Sequence, residues 1–242
     1  MRNIKLVLEY DGKDFLGWQI QKEGRTVQAV LRDILKELLQ EDVNIIGAGR
    51  TDSGVHARGQ VANFKTESDR DLRIIHRALN GLLPEDIRIH EVSEVPIEFN
   101  SRFDALSRTY KYYISLIPLA IERQIKWYCY YKLDLDILDA CADFIKSQSD
   151  FKSFCYTRSE QKHHLCKMFE SKWIRNGNDI TYFVSANRFL YGMVRSLVGT
   201  MIDTGRGKIS FNEFKEIFDK RDRRFATRSA PAKGLVLENV EY

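Results

Sequence analysis

The sequence predicts an α+β fold in two similar halves, and three observations carry that reading. Several segments alternate apolar and polar residues with period two, two stretches carry apolar stripes at helical spacing, and turn-forming residues separate them. Strands outnumber helices. A soft boundary near residue 105 divides an N-terminal α/β domain, residues 1–105, from a C-terminal one, residues 106–242.

Ile4, Leu6, Leu8 and Tyr10 alternate with Lys5, Val7 and Glu9 and stop at the turn pair Asp11-Gly12, the pattern of a strand with one buried face. From Thr26, the positions Val27, Val30, Leu31, Ile34, Leu35 and Leu38 fall on one side of a helix. "VNIIGAGR" reads as a short strand entering a glycine-rich loop, and "QVANFKT" as the strand leaving it. A helix over 71–83, a strand over 87–92 and a connection containing Pro96 lead to "SRTYKYYIS", where Tyr110, Tyr112 and Ile114 share a face. A helix over 134–146, capped by Asp134 or Asp136, precedes a long polar loop, "SFCYTRSEQKHHLCK". Residues 168–174 and 180–186 flank "RNGND" as a hairpin. Met193, Val194, Leu197, Val198, Met201 and Ile202 form the second helical stripe. Arg195 lies at its border beside Val198 and Ile202, so its stem can be buried while the guanidinium reaches a neighbouring element. Ser210 and Glu213 make a capping box that opens a helix through Phe218, and "GLVLENVEY" is a last strand.

With 242 residues, 43% of them hydrophobic and 30% charged, the chain has a globular rather than a disordered composition. The longest apolar segment, 190–202, is interrupted by Arg195, and the N-terminus reaches an acidic residue too early for a secretory signal. The expectation is a cytoplasmic protein with no membrane partner. Cys129, Cys141, Cys155 and Cys166 form no CxxC pair and read as free, buried thiols. A net charge of +4 and an isoelectric point near 8.8 lean toward an anionic partner. Basic residues recur beside aromatics and glycines in "ARG", "SRTYKYYI", "NRFLYGMVR" and "DKRDRRFATR", a mixture suited to holding phosphates and stacking bases. On charge alone, a solvated surface explains them as well as a groove does.

"GAGRTDSGVHARGQVANF", residues 47–64, surrounds Asp52 with glycines and cations. It lacks the Gly-Lys-Ser/Thr ending of a phosphate loop, and its glycine spacing and strand-like exit do not fit a dinucleotide fingerprint. The glycines alone are equally a tight β-connection with positive φ angles. Asp52, however, is flanked by Arg50, His56 and Arg58, and a carboxylate among cations stays ionised and nucleophilic. Glycoside hydrolysis would need a second acid, and none lies in the motif; Asp11 and Asp14 could approach only through folding. Cys155, His163, His164 and Cys166 are zinc-ligand types in one loop, but their irregular spacing and adjacent histidines argue against a metal site. His56 reads as a hydrogen-bonding loop residue rather than a general base.

The segment "GRTDSGVHARGQVANF" is similar to the signature of the bacterial tRNA pseudouridine synthase A family. "EYDGKDFLGWQIQ", "ALNGLLPEDI", "SRFDALSRTYKYYI", "FLYGMVRSLVGTMIDTG" and "SAPAKGLVLENVEY" resemble further family segments in the same order. Gly192 departs from a larger polar residue common in the family, and Val236 from an aromatic. The resemblance implies the pseudouridine synthase fold, two α/β domains sharing a long mixed, largely antiparallel sheet. It implies an isomerase that works as a homodimer without cofactor and converts uridine to pseudouridine at positions 38, 39 and 40 of the tRNA anticodon stem-loop. By the same resemblance Asp52 is the nucleophile, Tyr110 stacks on the target base, Arg195 pairs with Asp52, Leu235 is an apolar pocket wall and Arg50 helps extrude the base. Arg50, Arg58 and Arg108 are expected on tRNA phosphates, and the glycine-rich loop is expected to let the sugar-phosphate backbone approach Asp52. The alternative is an RNA-binding protein on this scaffold that has lost catalysis, against which stands the intact set Asp52, Tyr110 and Arg195.

Overall fold

A computed structural model describes residues 1–156 and 163–242. In chain order its elements are β1 (Arg2–Tyr10), α1 (Val27–Leu39), β2 (Ile46–Gly47), β3 (His56–Thr66), α2 (Leu72–Leu82), β4 (Ile87–Val95) and β5 (Ser107–Ser115). There follow β6 (Trp127–Tyr128), α3 (Leu135–Lys146), β7 (Met168–Asn176), β8 (Asp179–Ala186), α4 (Met193–Gly205), α5 (Phe211–Lys220) and β9 (Leu235–Glu241). The fold is mixed α/β. The pairs β1·β3, β1·β4, β2·β3, β5·β8 and β7·β8 are antiparallel, while β5·β6 is parallel. The chain divides into two compact units, Met1–Leu106 with Leu237–Tyr242, and Ser107–Val236. Among the described residues no helix is long and apolar enough to cross a membrane.

In the first unit the strand order is β4-β1-β3, with β2 also paired to β3. Ile4, Leu6 and Leu8 are fully buried and lie opposite Phe64, Ala62 and Gln60, so the alternation of β1 delivers one face to the core. Thr26 caps α1 by accepting from the Ala29 N–H. The buried stripe of α1 is Val27, Gln28, Leu31, Leu35 and Leu39, which replaces Val30, Ile34 and Leu38 of the expected stripe. The reason is Gln28. Its side-chain carbonyl accepts from Ile20 N–H (3.0 Å) and Gln19 Nε2 (2.6 Å), and its amide donates to the Ile45 carbonyl (2.8 Å), so a polar residue is satisfied inside.

In the second unit the order is β5-β8-β7. Tyr110, Tyr112 and Ile114 face Val184, Tyr182 and Ile180 across β5·β8, all buried. Asp134, not Asp136, caps α3, accepting from the N–H groups of Asp136 and Ile137. The capping box of Ser210 and Glu213 opens α5 as expected. Helix α4 is buried on every side rather than along one stripe, and Arg195 is its one residue outside the buried set. The middle of the polar loop 153–167, residues 157–162, lies outside the described residues. All four cysteines are free and buried.

Candidate active site

Asp52 sits half-buried in the turn between β2 and β3. Its carbonyl accepts from the Val55 N–H (3.1 Å), and Gly54 takes a φ of +76° in the same turn. The preceding residue, Thr51, is anchored twice: its hydroxyl shares a 2.8 Å hydrogen bond with that of Tyr10, and its carbonyl accepts from the Trp18 N–H at 3.2 Å. Gln60 on β3 completes the support by donating to the Gly49 carbonyl (2.9 Å) and reaching the Tyr10 hydroxyl (3.5 Å). Burial pushes the Tyr10 phenol up to about 12, against the opposing hydrogen bonds of Thr51 and Gln60, so Tyr10 is neutral near pH 7.

Residues 11–18 wrap the other side of this loop. The Phe15 carbonyl accepts from the Gly54 N–H and the Ser53 hydroxyl, both at 3.2 Å. Gly17 has a φ of +93°, and a Cβ there would stand 2.4 Å from the Thr51 carbonyl oxygen, so only glycine fits on both counts. Arg25 forms a bidentate pair with Asp86 (2.5 and 2.8 Å) and lies 4.0 Å above the Phe15 ring, fixing the far end of the wrap. The segment "EYDGKDFLGWQIQ" is therefore the brace of the Asp52 loop.

The remaining parts of the motif serve the fold more than expected. His56 is the first residue of β3, 4% exposed, with Nδ1 3.1 Å from the Gly12 nitrogen and 3.0 Å from a carboxylate oxygen of Asp11. It ties the wrap to the strand. The faces of Gly47 and Gly59, read in the sequence as clearance for a substrate backbone, are occupied by the protein: a Cβ would lie 2.5 Å from the Trp18 ring and 2.4 Å from the Glu238 carbonyl oxygen, respectively. Arg50 is exposed and makes no hydrogen bond or ion pair among the described residues. Arg58 is also exposed and donates to Glu238 at 2.9 Å.

Tyr110, Arg195 and Leu235 belong to the second unit, where each is held by its own neighbours. Tyr110 is buried on β5, and the Phe189 ring meets its ring edge-on at 5.1 Å and 86°. Sequence reasoning passed over Phe189, although it stands in "FLYGMVR". Arg195 Nε donates to the Ala230 carbonyl (2.9 Å), and the Ala230 N–H donates back to the Arg195 carbonyl (2.9 Å). Leu235 is buried at the start of β9, and Arg108, expected on tRNA phosphates, is itself buried and donates to the Asn187 carbonyl at 2.8 Å. Gly192, the departure at the head of α4, has a φ of +71°, and a Cβ there would meet the Tyr156 ring at 2.2 Å. The Tyr156 ring thus fills the space a side chain would take.

Among the described residues no three His, Cys, Asp or Glu side chains converge on a metal position. Of the four loop candidates, Cys155 and Cys166 are buried, burial pushing the Cys166 thiol up to about 12, while exposed His163 accepts from the Leu165 N–H through Nδ1.

The chemistry available is that of a partly exposed carboxylate on a rigid, hydrogen-bonded loop, with arginines nearby in sequence and a buried tyrosine and an anchored arginine on the second unit. A family model described as tRNA pseudouridine synthase matches residues 6–104 and 148–242. The tRNA pseudouridine synthase A of Clostridium acetobutylicum is 40% identical over 244 residues, covering 100% of both chains. That of Chlorobium luteolum is 41% identical over 243 residues, covering 100% of this chain and 96% of its own. That of Caldicellulosiruptor bescii is 39% identical over 244 residues, again end to end. With most of its length matched by the family model and full-length relatives at this identity, the chain belongs to the tRNA pseudouridine synthase family.

Proposed function

We propose that this protein isomerises uridine to pseudouridine in tRNA, at positions 38, 39 and 40 of the anticodon stem-loop, with Asp52 as the nucleophile. The observation that carries the proposal is the bracing of Thr51-Asp52 by Tyr10, Trp18, Gly17 and Gln60, which holds one partly exposed carboxylate in a fixed place within the segment that matches the family. The reaction breaks the bond from C1′ to N1, turns the freed uracil and rejoins it through C5, while a proton leaves C5 and N1 takes one up. The sum is an isomerisation with no net redox change. Asp52 begins it by attack on C1′, by attack on C6, or by taking a proton from C2′.

The other roles follow from side-chain chemistry. Tyr110, backed by Phe189, offers a ring for the uracil to stack on and a hydroxyl to assist removal of the C5 proton. Arg195, fixed through Ala230, supplies a cation for the reaction, and Leu235 supplies an apolar wall. Taking the base out of its stack costs a few kcal/mol, which stacking and cationic contacts offset, and Arg50 is the exposed cation for that step. Arg58 meets the RNA backbone while sharing its charge with Glu238. The working form is a cytoplasmic homodimer.

The test is incubation of purified protein with unmodified tRNA transcripts, scored for pseudouridine at each position. Product at 38, 39 or 40 supports the proposal. Binding without product would leave a non-catalytic RNA-binding protein, and product elsewhere would reassign the substrate.

A further inference from the structure

Two tyrosines on the second unit, far in sequence from the motif, form a surface whose chemistry the reaction does not use. Tyr130 and Tyr131 follow β6, with ring centroids 4.2 Å apart at 42°, and Tyr130 is 68% exposed. The Tyr130 hydroxyl donates to that of Tyr131 (2.8 Å), which also accepts from Arg228 Nη2 (2.9 Å). The Arg206 guanidinium lies over the Tyr131 ring, 4.0 Å from its centroid. Arg206 is itself held by the buried carboxylate of Asp203 at 2.8 Å. The result is a cluster of the Arg206 guanidinium and two tilted tyrosine rings in which Tyr130 is open to solvent.

We propose that Tyr130, Tyr131 and Arg228 form a docking subsite for one unstacked nucleotide of the tRNA substrate, its base on the outer face of Tyr130 and its phosphate on Arg228. The proposal rests on the reading that tRNA is the substrate and adds a site to it. An exposed aromatic ring already held by a hydrogen bond, as Tyr130 is, offers a stacking face with little ordering cost, and stacking accepts any base. Arg206 is neutralised by Asp203, but exposed Arg228 has no carboxylate partner among the described residues, so its charge is available to a phosphate. Lys132 and Lys208 are exposed beside these residues in sequence and add the same sign, although Lys208 also pairs with Asp203. A two-fold contact with a second copy would set these cations against themselves.

The subsite also connects to Arg195. A Cβ on Gly199 would stand 2.0 Å from the Arg228 carbonyl oxygen, so residues 228–230 lie flush on α4, and Ala230 exchanges hydrogen bonds with Arg195. Arg228 is two residues from that exchange, within about 8 Å of chain. A nucleotide held there lies next to the segment that fixes Arg195.

The experiment measures the affinity of an unmodified tRNA transcript for the full-length protein and for Tyr130→Ala, Tyr130→Phe and Arg228→Gln, as a function of salt, with sedimentation of each variant. Tyr130→Ala is expected to weaken binding roughly 5- to 150-fold, the range for losing one stacked base, while Tyr130→Phe, which keeps the ring, loses less. Arg228→Gln is expected to weaken binding and to lower the salt slope by about one. Wild-type affinity in both Tyr130→Ala and Arg228→Gln would overturn the proposal, as would a Tyr130→Ala that alters sedimentation but not affinity. If the wild type binds tRNA yet forms no pseudouridine, the catalytic reading fails separately, and the subsite is decided by the binding measurements.

Discussion

The hydroxyls of Tyr10 and Thr51, 41 residues apart, share a buried 2.8 Å hydrogen bond one residue before Asp52. It joins the end of β1 to the Asp52 turn. Tyr10→Phe removes one partner and leaves the Thr51 hydroxyl buried, an expected loss of about 1–3 kcal/mol in equilibrium denaturation. Because Thr51 then has a looser hold on Asp52, single-turnover isomerisation is expected to fall roughly tenfold while tRNA affinity stays near wild type. A variant of unchanged stability and rate would remove Tyr10 from the support.

Gly17→Ala is expected to be more damaging. The substitution forces an alanine to φ +93° and sets its Cβ 2.4 Å from the Thr51 carbonyl oxygen. Backbone strain and overpacking together cost about 2–5 kcal/mol. Chemical denaturation measures the loss, and a change below about 1 kcal/mol would show that the wrap moves aside without cost.

Asp203 gives the pH dependence. Burial disfavours its charge, but Lys208, Thr227 and Arg206 outweigh that, and its carboxyl is held below the usual range. Its contribution to stability is therefore full above the unfolded carboxylate value of about 3.9 and is lost as pH falls through the lower folded value. Asp203→Asn is expected to cost about 2–3 kcal/mol at pH 7, with the gap to wild type closing in strong acid. Denaturation of both proteins from pH 7 to pH 2 checks this, and a constant gap would contradict it.

Arg195→Met keeps the stem within α4 and removes the guanidinium. Single-turnover isomerisation is expected to drop by 10² or more, with tRNA affinity within about threefold of wild type. Arg195→Lys should also be slow, since a point charge cannot hold the Ala230 carbonyl through one nitrogen and leave a planar fork of further donors for the reaction. Near-normal rates in both would make Arg195 a surface arginine with no part in the reaction.

What the sequence made legible followed from local pattern. The alternation of β1, the capping box of Ser210 and Glu213 and the hairpin of β7 and β8 are short-range signals. The burial of Gln28 was not, because its three hydrogen-bond partners come from residues 19, 20 and 45. Helix α4 likewise read as one stripe because its polar residues Ser196, Thr200 and Asp203 disguise a burial from which only Arg195 departs. The start of β3 at His56 was hidden by glycine and charge, and the two-residue β6 is too short to show a period. At the candidate site the motif pointed to Asp52, whereas its support by Tyr10, Gly17 and Gln60 depends on tertiary pairing. Gly192 shows in the sequence only as a departure from a larger polar residue, and the Tyr156 ring that fills its space depends on tertiary packing.

The central claim, that Asp52 carries the chemistry, is tested most directly by single-turnover conversion of an unmodified tRNA transcript with wild type and Asp52→Asn, alongside tRNA binding by both. The amide preserves shape but is a poor nucleophile, so Asp52→Asn is expected to bind tRNA like wild type and to form pseudouridine at less than about 1% of the wild-type rate. A variant that folds, binds and still isomerises above that level would contradict the account.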